Sequence, residues 1–220
     1  NAGYDHIVFT GRSESPCYLK IYDDDVDIVS GSELWGLDTN ETYNKLAEFY
    51  KGSSVISIGP SGERLVRFSL ALVDRSSTIV RVGLGAVMGA KNLKAIVAKG
   101  TRGVDVAKPK EFRELCRNLM KEILEYPKRK TVVDLGMLSG APISMAVGAI
   151  GGREKTAECT DKVYLESLKK ARRACPSCPL GDKDILEIRK DGEFKGLTSH
   201  TTSVMNAFWL LLVDGIEDHG

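Results

Sequence analysis

The stretch Arg81-Val82-Gly83-Leu84-Gly85-Ala86-Val87-Met88-Gly89-Ala90-Lys91-Asn92-Leu93-Lys94-Ala95-Ile96 restricts this chain more than any other. Three glycines fall within seven residues, between the apolar run Thr78-Ile79-Val80 and a second run from Leu93 to Val97. Glycine admits positive φ and close approach of another group to the main chain, so backbone rather than side chain is presented here. Arg81 before the glycines, and Lys91 and Lys94 after them, suit an anionic ligand. Spacing alone leaves two readings open: a tight helix–strand connection with no ligand, or a backbone shelf for a phosphate or pterin.

Composition narrows the partners. Net charge is +1, from 31 basic and 30 acidic residues, so no field favours nucleic acid or a membrane surface. The longest apolar run, Ala207 to Val213, falls well short of the roughly 20 residues that span a bilayer. The five cysteines, Cys17, Cys116, Cys159, Cys175 and Cys178, are too few and too unevenly placed for a secreted disulfide framework. A reducing, cytoplasmic setting is expected, and the opening Asn1-Ala2-Gly3-Tyr4 reads as the interior of a longer protein.

Strands are expected at 6–9, 18–22 and 26–29, the last two joined through the acidic turn Asp23-Asp24-Asp25. A helical turn over 32–36 precedes a helix opening at Asp38 and running to Tyr50, with Tyr43, Leu46 and Phe49 on one face. Trp35 reads as a core anchor, 54–58 as a strand and 59–62 as a turn. Arg67 and Glu63 read as a surface pair. After residue 105 the pattern changes: Pro109 opens a helix whose apolar stripe includes Cys116, and 165–174 reads as a basic helix. The expected class is therefore α+β, with a β-rich portion over 1–105 and a mainly helical portion over 106–220 that carries a Cys-x-x-Cys motif.

The glycine stretch resembles the motif Arg-Gly-Gly-x-Gly-Ala-Val-Met-Gly-Ser-Lys-Asn-Leu-Lys-Ala-Ile of the aldehyde ferredoxin oxidoreductase family. Two further segments agree in order: Leu34-Trp35-Gly36-Leu37-Asp38-Thr39-Asn40-Glu41-Thr42, and Ile58-Gly59-Pro60-Ser61-Gly62-Glu63-Arg64-Leu65-Val66-Arg67. The resemblance implies that 1–105 is the second part of a β-rich pterin-binding domain. It implies a tungstopterin or molybdopterin, with Mg2+ at the pterin phosphates, contacted by Ser77, Thr78, Val80, Arg81, Gly83, Gly85, Lys91 and Asn92. Ser77 and Val80 stand where family members carry Arg and Gly, which removes one charged contact.

Cys175-Pro176-Ser177-Cys178-Pro179-Leu180-Gly181-Asp182 is the second stretch with chemistry in it, since two thiolates two residues apart can reach one metal or cluster. In the resembled family the pattern is Cys-x-x-Cys-x-x-x-Cys, three ligands of a [4Fe–4S] cluster. Asp182 occupies the third position here, so the expected metal set is Cys175, Cys178 and Asp182. A lost cluster and a zinc site completed by Cys159 or His200 are the competing readings.

The resemblance implies an oxidoreductase that converts aldehydes to carboxylic acids, with ferredoxin or another electron-transfer subunit as acceptor, an aldehyde or acyl substrate, and a homo-oligomeric assembly. No catalytic residue can be named. The alternatives are a relative of the tungsten subunit of benzoyl-coenzyme A reductase, a nucleotide-binding α/β module reading Gly83, Gly85 and Gly89 as its loop, and a non-catalytic module. The nucleotide loop is one residue longer than the dinucleotide fingerprint requires.

Overall fold

The computed structural model describes residues 2–79, 83–135, 169–175, 178–187, 189, 191–192, 195–196 and 198–201. Two compact units divide the chain, Asn1–Asp105 and Val106–Gly220. The architecture is α+β, a mixed sheet with helices.

Unit 1 contains β1 (Cys17–Tyr22), β2 (Asp25–Ser30), α1 (Thr39–Phe49), β3 (Ser54–Ser57), α2 (Pro60–Glu63), β4 (Ala71–Val73), β5 (Ser77–Ile79), α3 (Leu84–Ala90) and β6 (Leu93–Lys99). The sheet order is β2-β1-β6-β3-β4-β5, with β1 and β6 parallel and every other pair antiparallel. Alternation along the strands gives the sheet two apolar faces. Cys17, Leu19, Ile21, Ile58 and Leu93 pack with Met88 of α3 on one; Tyr18, Val55, Ala95 and Val97 pack with Leu34 and Leu46 on the other.

A register shift between Cys17 and Tyr18 pairs them with Leu93 and Ala95, leaving Lys94 as the extra residue. This bulge explains how Leu93 and Ala95, two apart, serve opposite faces. At the start of α1 the Asp38 carboxylate accepts the N–H groups of Asn40 and Glu41 at 2.7 and 2.8 Å, and the Glu41 carboxylate accepts the Asp38 N–H at 3.0 Å. Such a cap contributes about 1 kcal/mol.

Unit 2 contains α4 (Pro109–Glu125), α5 (Arg129–Leu135) and a three-stranded antiparallel sheet of β7 (Lys169–Arg173), β8 (Lys183–Glu187) and β9 (Thr198–Thr201), in the order β7-β8-β9. Among the described residues, no helix is long and apolar enough to cross a membrane.

Several expectations are corrected. Residues 6–9 form no strand, and Val8 is 84% exposed, because no ladder partner lies alongside. Residues 60–63 form a short helix rather than a plain turn, with Pro60 at its first position. Leu34, not Trp35, is the buried anchor of the 31–37 turn, and Phe49 points to solvent. Cys116 is exposed rather than core: no residue of α4 is buried, so its stripe of Phe112, Leu115 and Leu119 faces outward. Residues 169–173 of the expected basic helix are strand β7, paired with β8. The loop over 136–153 and Cys159 lie outside the described residues.

Candidate functional site

The glycines of the central stretch interlock α3 with the segment that precedes it. Gly83 caps α3 with φ +67°, and a Cβ there would stand 2.3 Å from the Arg67 carbonyl oxygen. A Cβ on Gly85 would meet the Leu70 carbonyl oxygen at 2.7 Å, and one on Gly89 the Gly62 carbonyl oxygen at 2.1 Å. Real Cβ atoms do not come that close to main chain, so each glycine is required by packing inside the chain. The Gly85 N–H donates to the Ser69 carbonyl at 3.2 Å and is thereby occupied. The glycine spacing follows from α3 meeting main chain at both ends, that of residues 67–70 at Gly83 and Gly85 and that of α2 at Gly89.

Ser77 and Thr78 lie on β5, at the edge of the sheet, with Thr78 exposed and Ser77 half-buried. Val80 and Arg81 fall outside the described residues. Lys91 and Asn92 both bond the N-terminal loop. Lys91 Nζ donates to the Gly11 carbonyl at 2.8 Å, and Asn92 Nδ2 to the Ser13 carbonyl at 2.7 Å. The Ser13 N–H returns a bond to the Lys91 carbonyl at 3.2 Å.

Lys94 is corrected most sharply. It offers no charge to a ligand: its side chain is fully buried, and Nζ donates to Glu63 Oε1 at 2.5 Å and to the Leu37 carbonyl at 2.7 Å. Both Glu63 oxygens also accept the Gly36 N–H at 3.0 Å. Glu63 therefore pairs with Lys94 and not with Arg67. The pair ties α2, the bulge of β6 and the 34–37 turn together, and so fixes where α3 sits. The sequence analysis does not find this contact; the one signal it offers is Lys94 set between Leu93 and Ala95 in an apolar run, while Glu63 stands between Gly62 and Arg64 with no mark of burial.

In unit 2 the Cys-x-x-Cys motif spans the turn from β7 to β8. Cys175 and Cys178 are both half-buried, neither is in a disulfide, and the Cys178 N–H donates to the Cys175 carbonyl at 3.0 Å. Gly181, at φ +63°, then turns the chain into β8. Asp182 is half-buried in this turn, but no group of three metal-ligating side chains is assembled among the described residues. Two thiols on one closed turn fit a shared metal or cluster; the further ligands are not gathered here. His200 lies on β9.

Comparison with known proteins bears on both segments. A family model described as aldehyde ferredoxin oxidoreductase, N-terminal domain, matches residues 1–100. The tungsten-containing aldehyde ferredoxin oxidoreductases of Pyrococcus abyssi and Pyrococcus horikoshii are each 31% identical to this chain over 220 residues, covering 94% of it. The chain spans 36% of the length of each. Among solved structures, one chain of the active site complex BamBC of benzoyl coenzyme A reductase, in complex with 1,5-dienoyl-CoA, is similar with a TM-score of 0.68 and 29% identity. That similarity covers 87% of this chain and 32% of the other.

Proposed function

From the premise that this chain belongs to the aldehyde ferredoxin oxidoreductase family, we propose that it forms part of a tungstopterin or molybdopterin oxidoreductase that converts aldehydes to carboxylic acids. The overall change takes up one water and releases two protons and two electrons, which pass singly to ferredoxin or a similar carrier. The cofactor supplies the two-electron chemistry when bound, and the polypeptide supplies placement and charge.

In this reading the interlock of α2 and α3 is the rigid support, and the residues from Ser77 to Gly83 are the edge presented to the pterin. Thr78 contributes an exposed hydroxyl on β5, and Arg81 the cation that balances pterin or phosphate charge. Gly83 and Gly85 serve by letting the start of α3 pack tightly against the main chain of residues 67–70. Lys91 and Asn92 shape the neighbouring loop. Cys175 and Cys178 would hold a [4Fe–4S] cluster together with ligands from elsewhere in the intact protein. Asp182 stands where the family carries a thiolate, and an oxygen ligand matches iron of such a cluster less well.

The observation that supports the reading best is identity of 31% that runs across 94% of the chain, through both the glycine stretch and the cysteine turn. A second reading, a relative of the benzoyl-coenzyme A reductase subunit acting on an acyl thioester, is favoured by the structural similarity to that complex. The test is metal and pterin analysis of the intact protein purified without oxygen, followed by dye reduction with aldehydes. Tungsten or molybdenum, a fluorescent oxidised pterin and aldehyde-dependent dye reduction are expected. Metal and pterin without aldehyde turnover would move the assignment to the second reading. Bound adenine nucleotide in place of pterin, or no cofactor at all, would overturn both.

A further inference from the structure

A cleft of about 290 Å³ opens in unit 1 between residues 9–13 and the apolar face of β1, β2 and β6. Its floor is Leu19, Leu93 and Ile28, its wall includes the Phe9 ring, and Arg12 and Lys91 stand at its rim. Ile28 is 76% exposed, whereas Leu19 and Leu93 are each 7% exposed, so Ile28 is the part of the floor left in contact with water. The volume lies near the lower end of the usual range for small-molecule sites, about 300–1,000 Å³.

Two cations at this rim have no anionic partner among the described residues. Lys91 Nζ donates to a neutral carbonyl, that of Gly11, and Arg12 reaches the Asn92 side-chain oxygen at a long 3.4 Å. Neither takes part in an ion pair among the described residues. Exposed lysines and arginines usually carry little consequence, but these two border an apolar floor, where solvent screening is weaker than on open surface. The loop that carries Arg12 is also held in place. Ser13 is bonded twice, through its N–H to Lys91 and through its carbonyl to Asn92, and the β-bulge opposite Cys17 fixes the strand below. A pinned wall avoids much of the ordering cost of binding.

We propose that this cleft binds a small organic anion with a flat apolar body, of the aryl carboxylate class. The ring would lie on Leu19, Ile28 and Leu93 beside Phe9, and the carboxylate would meet Arg12 and Lys91. Inorganic phosphate satisfies the rim alone and leaves the floor wet; a neutral aromatic satisfies the floor alone and leaves two cations bordering the ring. Only a molecule carrying both parts meets both halves of the cleft. Of the residues that the resemblance assigns to the pterin, Ser77, Thr78, Gly83 and Gly85 do not line this cleft and Lys91 does, so the proposal assigns Lys91 to the aryl carboxylate instead.

The test is a fluorescence titration of the intact protein with 2-naphthoate, against 2-naphthamide as the neutral isostere and inorganic phosphate as the bare anion. Naphthoate is expected to bind about tenfold or more tighter than naphthamide, and phosphate not to displace it at comparable concentration. Arg12→Gln should weaken naphthoate, but not naphthamide, by about tenfold. Ile28→Ser should weaken both ligands, and because Ile28 is so exposed this variant leaves the fold intact, as circular dichroism would verify. Equal affinity for naphthoate and naphthamide, displacement by phosphate, no response to naphthoate, or binding indifferent to both substitutions would each overturn the proposal. Metal and pterin content plays no part in the readout, so failure here and failure of the pterin reading remain distinguishable.

Discussion

Each unit buries a lysine beside a break in strand register, and the two lysines differ in how much of the structure hangs on them. Lys94 is the extra residue at the bulge of β6, an interior strand; Lys169 begins β7, an edge strand whose register shifts between Lys169 and Ala171. A bulge re-aims a side chain: in β6 it turns the extra residue, Lys94, inward, whereas in β7 the extra residue is Lys170, which stays 48% exposed, and the buried lysine is its neighbour Lys169. Lys94 and Glu63 have side chains 0% and 6% exposed, and together they bond three separate segments. Lys169 and Asp184 are 9% and 4% exposed, at 2.7 Å, and Lys169 also donates to the carbonyls of Val133 and Asp134 at the end of α5. A cation at the end of a helix satisfies its last carbonyls and the negative end of its dipole. A buried lysine–carboxylate pair thus organises a sheet interior in one unit and closes one helix onto one hairpin in the other. What decides the consequence is the strand's place in the sheet.

That contrast can be broken most directly by removing the interior cation. Lys94→Met strands the Glu63 carboxylate in the core and should cost about 3–5 kcal/mol, read as a lowered denaturant midpoint. Glu63→Leu combined with Lys94→Met should recover much of the loss, since apolar replacement of a whole buried pair is often close to neutral. Failure of the double variant to recover would mean that the polar bonds to Gly36 and Leu37, rather than the paired charge, are what the region needs.

The edge-strand pair should show a smaller effect. Lys169→Met is expected to cost on the order of 2 kcal/mol. Its signature is faster hydrogen exchange confined to α5 and β7, with the amides of unit 1 unchanged. A loss equal to that of Lys94→Met would erase the proposed distinction between interior and edge.

The smallest effect concerns a surface turn, where Asp23 is only partly buried. The Thr101 hydroxyl and N–H both donate to the Asp23 carboxylate, and these bonds, with lesser help from Arg102, hold its pKa below the ordinary 3.8. A lowered folded-state pKa means the contribution is complete above the ordinary carboxylate value. It fades as pH falls through the lower folded value. The stability difference between the wild type and Asp23→Asn should therefore be small and constant near neutrality and shrink only in strong acid. A difference that instead disappeared between pH 5 and 7 would assign the effect to another group.

Much of unit 1 was legible in the sequence because local signals agree with the final contacts. The β1–β2 hairpin, the capped helix α1 and strand β6 follow from alternation, a capping box and β-branched runs. The 6–9 segment misled because its residues favour a strand but pairing is a long-range event that propensity does not encode. The same limitation hid β7: a basic run with helical spacing became a strand through its ladder to β8. At the candidate site, the glycine positions were readable as places of close approach, but not what approaches them. Glycine spacing is the same whether a ligand or the chain's own carbonyls fill the space. Lys94 was misread for a related reason, since a lysine among apolar residues announces its charge and not the bulge that turns it inward. The cysteine turn was legible from Pro176 between the two thiols and Pro179 and Gly181 after them, while any further ligands depend on residues distant in sequence.

The contact between Gly62 and Gly89 has a consequence for how this region can change. The atoms that a Cβ at Gly89 would meet are the main-chain carbonyl of Gly62 and the α-carbon of Glu63, which every amino acid possesses. A methyl added at Gly89 therefore has no counterpart that a second substitution could trim. Genetic suppressors of Gly89→Ala should be absent from the facing helix and, if they arise, should act by raising stability globally. Variation here is closed to compensatory exchange, whereas the leucines and valines around it remain free to trade volume with their neighbours.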